Sequence, residues 1–263
     1  MNRGALRHGF GITSHPRRGL DRLAARIEEL GYEELWSNDT SAGSGLSTLA
    51  PCAPSTQRLV LAVGVIGLSS RDPDSIAAEA VRLGLPLDRL VVGIGSGSSS
   101  STELVRRGGQ VVRRTLPGVP VAVAAVGPRM CRLAGEIADI VLLNWATPDR
   151  IAWSRARVAE GAASADRRTP TVAAYVRVAI GPDAEARLER EGERYRGSSP
   201  AYRAAFDARR GGVGIAERSA DGVADALRPY RAALDTVIVR AMPAADDVDA
   251  WLEIAEAGAP PRR

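Results

Sequence analysis

The sequence contains no lysine, so all 35 of its basic residues are arginine. That absence excludes Schiff-base chemistry on a lysine amine and the lysine of a phosphate-binding loop. Histidine is reduced to His8 and His15, and cysteine to Cys52 and Cys131. Two widely separated cysteines make neither a disulfide framework nor a zinc site, and no metal is expected. No apolar run approaches the roughly 18 residues of a membrane span. Residues 1–8 are basic but lack the apolar segment of a secretion signal. A cytoplasmic protein without membrane contact is expected. Basic residues are scattered among 31 acidic ones for a net charge of +4, and no basic stripe carries interleaved aromatics. Nucleic acid is therefore not an expected partner.

What is present is an ordinary globular composition, 45% apolar over 263 residues. That length is generous for one domain but usual for an α/β barrel. Short apolar runs alternate with longer amphipathic ones. Strands are expected at 9–13, 32–37, 58–66, 89–94, 119–126, 138–143, 171–180 and 234–240. The run at 58–66 is almost continuously apolar, as in a strand buried on both faces. Helical spacing is expected at 20–30, 74–83, 102–115, 129–137, 148–163, 183–196, 216–227 and 248–257. Residues 95–101 read as a small flexible loop and 258–263 as a frayed tail. With no linker or low-complexity tract, residues 1–263 read as one domain. Eight strands separated by helices imply parallel β/α units. A closed (β/α)8 TIM barrel fits the count of eight, with an open doubly wound sheet as the alternative.

In such barrels the site lies at the C-terminal ends of the strands. That rule nominates Asn38, Asp39, Thr40 and Ser41, then Gly67, Leu68, Ser69, Ser70 and Arg71. It also nominates Ser96 and Gly97, Gly127 and Pro128, and Asn144 and Trp145. Asp39 also suits a turn or helix cap. Gly67 suits a strand end or a close backbone approach. Arg177 and Arg240 fall within apolar strands and need partners; internal salt bridges or an anionic ligand would both serve. Glu136 and Asp139 read as a structural pair. Trp145 suits either core packing or the wall of a ring site.

Several segments resemble the luciferase-like monooxygenase superfamily, of the bacterial-luciferase type. Residues 23–39 (LAARIEELGYEELWSND) look like its first helix and second strand. Residues 61–83 look like its third strand, bulge and following helix, and 89–97 (RLVVGIGSG) like its fourth strand. The block 121–147 (VAVAAVGPRMCRLAGEIADIVLLNWAT) is similar to the methylene-tetrahydromethanopterin reductase branch. The resemblance implies an oxidoreductase that moves a hydride between the deazaflavin coenzyme F-420, or FMN as the alternative, and a small organic substrate. An FMN-dependent monooxygenase and a catalytically weak cofactor-binding protein are the alternatives. It implies cofactor contacts at Asn38, Asp39, Ser96, Gly97, Ala125, Val126, Gly127, Pro128 and Asn144. It also implies a non-prolyl cis peptide backing the ring at Gly67 and Leu68. Asp39 and Thr40 take the catalytic positions, although Thr40 stands where the family commonly has histidine, and a hydroxyl alone is no base. The first strand ends in Thr13 and Ser14 where some relatives carry Glu, with His15 nearby. The chain is also short for the family, which implies a shallow, open site. A homodimer is compatible with the family.

Overall fold

A computed structural model of the protein describes residues 5–14, 18–207 and 213–261. Among them the chain runs β1 (Arg7–Gly11), α1 (Leu20–Glu29), β2 (Glu34–Ser37), α2 (Gly45–Leu49), β3 (Val60–Gly67), α3 (Pro73–Arg82), β4 (Leu90–Gly95) and α4 (Thr102–Thr115). It continues through β5 (Val121–Ala125), α5 (Pro128–Ile137), β6 (Ile140–Asn144), α6 (Pro148–Ser164), β7 (Thr171–Ile180), α7 (Ala184–Ser198) and α8 (Pro200–Asp207). It ends with β8 (Ile215–Glu217), α9 (Val223–Ala226), α10 (Arg228–Ala233), β9 (Thr236–Ala241) and α11 (Val248–Ala257).

The sheet order is β6-β5-β4-β3-β2-β1-β9-β7-β8, with β6 also paired to β7, so eight strands close on themselves. Every strand pairing is parallel. This is the expected (β/α)8 barrel, and the open sheet is ruled out by the β6–β7 pairing.

Helices α2, α8 and α10 were not expected, and one expected helix takes another form. Residues 216–227 do not form one helix; they begin as β8 and continue as a 3-10 turn and α9. The reason lies in β7, which has 10 residues against 5 in β6. Its last three residues run past the end of β6 and would leave backbone groups unpaired, so Ile215–Glu217 pairs with them instead.

The barrel interior follows the two-residue alternation of each strand. Trp36, Ala62, Val91, Ala122, Leu142, Ala173, Tyr175 and Ile238 form a cluster inside the ring. A much larger apolar cluster fills the space between strands and helices. At the foot of the barrel, Arg7 pairs with buried Glu34 at 3.0 Å, and Trp36 Nε1 donates to Glu34 at 2.7 Å. Burial pushes the Glu34 carboxyl upward against the pull of Arg7 and that bond. At mid-height the Tyr175 hydroxyl donates to the Gly64 carbonyl at 2.9 Å. A Cβ on Gly64 would sit 2.6 Å from Leu142, 2.7 Å from the Tyr175 hydroxyl and 2.8 Å from Trp36, so only glycine fits there.

Candidate active site at the barrel mouth

Because β7 and β9 keep strict alternation, the residues above Tyr175 and Ile238 on the inward face are Arg177 and Arg240. They meet Asn144 from the end of β6 and Asn38 from just past β2 at the C-terminal mouth. There the strands enclose a cavity of about 170 Å³. One wall is small and apolar, made by Gly64, Val65, Ala124 and Leu142; the other carries Asn38, Asp39, Asn144, Arg177 and Arg240. Tyr195 of α7 and Tyr202 of α8 lie over it.

The polar wall is internally ordered. Arg177 Nη1 donates to Asn144 Oδ1 at 2.6 Å, and Asn144 Nδ2 donates to the Tyr202 hydroxyl at 2.7 Å. The Arg177 guanidinium lies 3.9 Å from the Trp145 ring centroid and 4.9 Å from that of Tyr195. Burial, opposed by the Tyr195 hydroxyl and reinforced by Arg240, pushes Arg177 down to about 10, so it stays charged at neutral pH. Arg240 donates to the Ile12 carbonyl, to Thr13 Oγ1 at 3.0 Å and to Asn38 Oδ1 at 2.7 Å. Burial pushes the Tyr175 and Tyr202 hydroxyls upward, which makes both neutral donors at any working pH. Trp145 holds a left-handed backbone at φ 52°, a region that a bulky residue rarely adopts. Such strain clusters where a side chain must be aimed, here against Arg177.

Asn38, Asp39 and Asn144 are the sequence candidates that reach the cavity. Asp39 has both oxygens engaged: Oδ1 accepts from the Gly45 amide at 2.8 Å, and Oδ2 pairs with Arg71 at 2.9 Å. Arg71 also pairs with Glu79, which accepts from Ser44 Oγ at 2.8 Å. This network ties the β2 and β3 loops to α2 and α3. Burial pushes the Asp39 carboxyl upward, opposed by the Gly45 amide and Arg71. Thr40 sits just outside the cavity, its hydroxyl 2.9 Å from Ser14 Oγ.

The remaining candidates lie around the rim. The non-prolyl cis peptide is at Gly64–Val65, not at Gly67 and Leu68. The pairing of β3 with β4 shifts register between Val63 and Ile66, so the irregular turn occurs within the strand rather than at its end. Leu68 is turned outward; a Cβ on Gly108 of α4 would lie 2.3 Å from its Cδ1. Gly67 and Gly97 approach each other, a Cβ on Gly67 falling 3.3 Å from the Gly97 Cα. Ser96 is half-buried beside them. The Ala125 side chain packs outward in the helix-facing core, leaving Ala124 toward the mouth. The Val126 carbonyl accepts from Arg150 at 2.8 Å, and Gly127 and Pro128 open α5. Glu136 pairs with Arg106, and Asp139 with Arg113 at 2.9 Å, both structural. His15 lies outside the described residues. Tyr195 and Tyr202 lie over part of the mouth, which stays partly open to solvent.

The sequence reading placed Ala124 on the small-residue edge of the groove, where it lies, but missed Gly64, Val65, Leu142, Tyr175, Tyr195 and Tyr202. For Tyr175 the signal was present as the every-second-residue series Ala173, Tyr175, Arg177, but both faces of β7 are apolar and hide which one is inward. Nothing local marks Tyr195 or Tyr202, since they reach the mouth only through the fold of α7 on α8. A larger hollow of about 650 Å³ lies beside α7, among Glu185, Glu189, Glu193 and Phe206. Apart from Trp145 it takes nothing from the strand ends, so the smaller cavity is the one the barrel builds.

Among the described residues no helix is long and apolar enough to cross a membrane, and no group of three or more His, Cys, Asp or Glu could hold a metal. A 5,10-methylenetetrahydromethanopterin reductase of Methanolobus tindarius is 27% identical over 188 residues, 70% of this chain and 52% of that protein. The match thus spans about half the length of that relative. A coenzyme F-420-dependent tetrahydromethanopterin reductase from Methanopyrus kandleri superposes with a TM-score of 0.72 at 18% identity, covering 96% of this chain and 98% of that one. An F-420-dependent secondary alcohol dehydrogenase, solved with an F-420–acetone adduct, superposes at 0.76 and 14% identity, covering 97% and 99%. At such identities the superpositions establish the shared barrel. Residues 5–110 and 101–242 match the model of luciferase-like monooxygenases. Barrel closure, the site at its C-terminal mouth and that match over nearly the whole chain agree: the protein belongs to the luciferase-like monooxygenase family.

Proposed function

We propose that the protein is an oxidoreductase that uses coenzyme F-420, with FMN as the alternative, to transfer a hydride to or from a small organic substrate at the barrel mouth. The observation that carries this reading is the pairing of walls in the cavity. A planar ring with a heteroatom edge needs apolar surface on its faces and fixed donors along its rim. Gly64, Val65 and Ala124 offer the first, and Asn38 and Asn144 the second. The relatives' dependence on F-420 supports the choice of cofactor.

These residues fit the group. The ring would be held between the small wall and the polar wall, and Ser96, Gly97, Gly127 and Pro128 would hold the phosphate side. When bound, the reduced cofactor supplies a hydride, and FMN would also supply reducing equivalents for oxygen insertion. The chain's own part is orientation and hydrogen-bond donation. Tyr202, fixed by Asn144, keeps its proton and presents a neutral donor to the cavity. At about 170 Å³ the cavity is smaller than the roughly 300 Å³ at which ligand pockets usually begin. A shift of Tyr202 on α8 would enlarge it.

Quenching of intrinsic fluorescence by F-420 and by FMN, titrated side by side, tests the reading. Tighter binding of F-420 is expected, with a loss of at least tenfold in Ala124→Leu, which fills the small wall. Binding of neither by a well-folded protein would sink it, and a preference for FMN would move the assignment to flavin chemistry.

One observation favours a second reading, a binding protein with little turnover. Asp39 has both oxygens committed, Thr40 is tied to Ser14, and among the described residues no imidazole lines the cavity. Single-turnover oxidation of bound reduced F-420 by a panel of carbonyl compounds separates the two. Decay no faster than that of the free cofactor would favour the binding protein.

A further inference from the structure

Among the described residues three arginines are buried: Arg187, Arg177 and Arg240, at 9%, 3% and 6% exposure. Arg187 is paired with Asp183. The other two hydrogen-bond only to neutral groups, namely an asparagine for Arg177, and a carbonyl, a threonine hydroxyl and an asparagine for Arg240. The residues outside the described set include no Asp or Glu side chain that could supply the missing charge.

The two are also direct neighbours. Arg177 pairs with Arg240 in the β7–β9 register, so both side chains leave the same face of adjacent strands. Two like charges side by side and out of water are unfavourable; the one carboxylate acting on Arg177, Glu191 of α7, is itself paired with Arg194 and bonds neither arginine of the pair. One donor is left over as well: Arg177 Nε is buried and finds no acceptor among the described residues. Buried donors are seldom left unsatisfied in a finished site. The Trp145 ring packs on the guanidinium face, which leaves its edge to meet a ligand in the plane. A guanidinium edge matches the two coplanar oxygens of a carboxylate. Leu142, Val65 and the tyrosine rings give an apolar lodging for the rest of a small molecule.

We infer that the substrate taken at this mouth is an organic carboxylate, its charge held by the neighbouring Arg177 and Arg240 and its body by the apolar wall. This rests on the proposed function in that the ligand is the cofactor's reaction partner, yet the anion site can be tested alone. The cofactor-free protein would be titrated in a calorimeter with benzoate and with benzamide, its neutral isostere. Benzoate is expected to bind at least tenfold tighter than benzamide. Arg177→Gln should remove that preference by weakening benzoate far more than benzamide, and Arg177→Lys should restore part of it.

Equal affinities in the wild-type protein, or no binding of either by protein with a native circular dichroism spectrum, would overturn the inference without recourse to any variant. Inorganic phosphate binding tighter than benzoate, and lost in Arg177→Gln, would also overturn it and make the site a holder of the cofactor's phosphate. F-420 and FMN titrations on the same preparation keep the two ideas apart. Benzoate selectivity without cofactor binding leaves the anion site and removes the proposed function. Cofactor binding without benzoate selectivity does the reverse.

Discussion

Glu28, at the end of α1, gathers three backbone amides that precede and begin β3. Its carboxylate accepts from Gln57 at 3.1 Å and from Arg58 and Leu59 at 2.7 Å each. Burial pushes this carboxyl up, but the three amide bonds outweigh it and hold it below its ordinary value. Its folded pKa is therefore lower than its unfolded value near 4.3. The stability it adds is present above that value and is lost as pH falls through the folded pKa. Glu28→Gln should cost about 1.5 kcal/mol at pH 7, the scale of hydrogen bonds to a charged group. Urea midpoints of the two proteins should converge as pH falls below about 4.3 and through the lower folded value. A gap that does not narrow on acidification would show that the carboxylate charge is not what matters. The site divides at the same scale. Asn38, Asp39 and Asn144 were legible because strand ends are legible. The cis peptide was placed three residues late because a bulge inside a continuously apolar strand leaves no local mark.

Helix α8 has no buried residue of its own, yet it brings Tyr202 over the mouth, while Phe206 faces the hollow beside α7. Its hold is aromatic: Tyr195 meets Tyr202 at 5.1 Å between ring centroids, and Trp145 meets Phe206 at 5.4 Å. So light an anchorage suits a segment that can move as the mouth fills. Tyr202→Ala should widen the cavity and speed cofactor association severalfold in stopped-flow quenching, while weakening the hold on Asn144. An unchanged association rate would mean that the roof does not limit access. Sequence reading found α7 because its apolar positions keep helical spacing. It did not find the roof, since spacing says nothing about which neighbour a helix crosses. The same limit explains β8: Ile215–Glu217 becomes a strand only because β7 overruns β6.

The closed ring ties distant parts of the chain together, with β1 beside β9 and β6 beside β7. Interior and helix-facing cores share every strand, so neither can dissolve alone. Unfolding in urea should then be a single transition, with far-ultraviolet circular dichroism and tryptophan fluorescence coinciding. Trp36 inside the ring and Trp251 on α11 report from the two cores. Two separated transitions would contradict one cooperative domain.

By itself the sequence determined the alternation of strands and helices, their parallel connection and the strand ends at which polar residues would gather. Those follow from periodicity and from punctuation by Gly, Pro and Asp, which act over a few residues. Only the tertiary structure decided that the ring closes through β6 and β7, that Arg177 stands beside Arg240 with no carboxylate bonded to either, and that two tyrosines lie over the cavity. Each depends on groups tens to hundreds of residues apart meeting in a low-dielectric interior, where burial and missing partners, rather than local preference, set the energy.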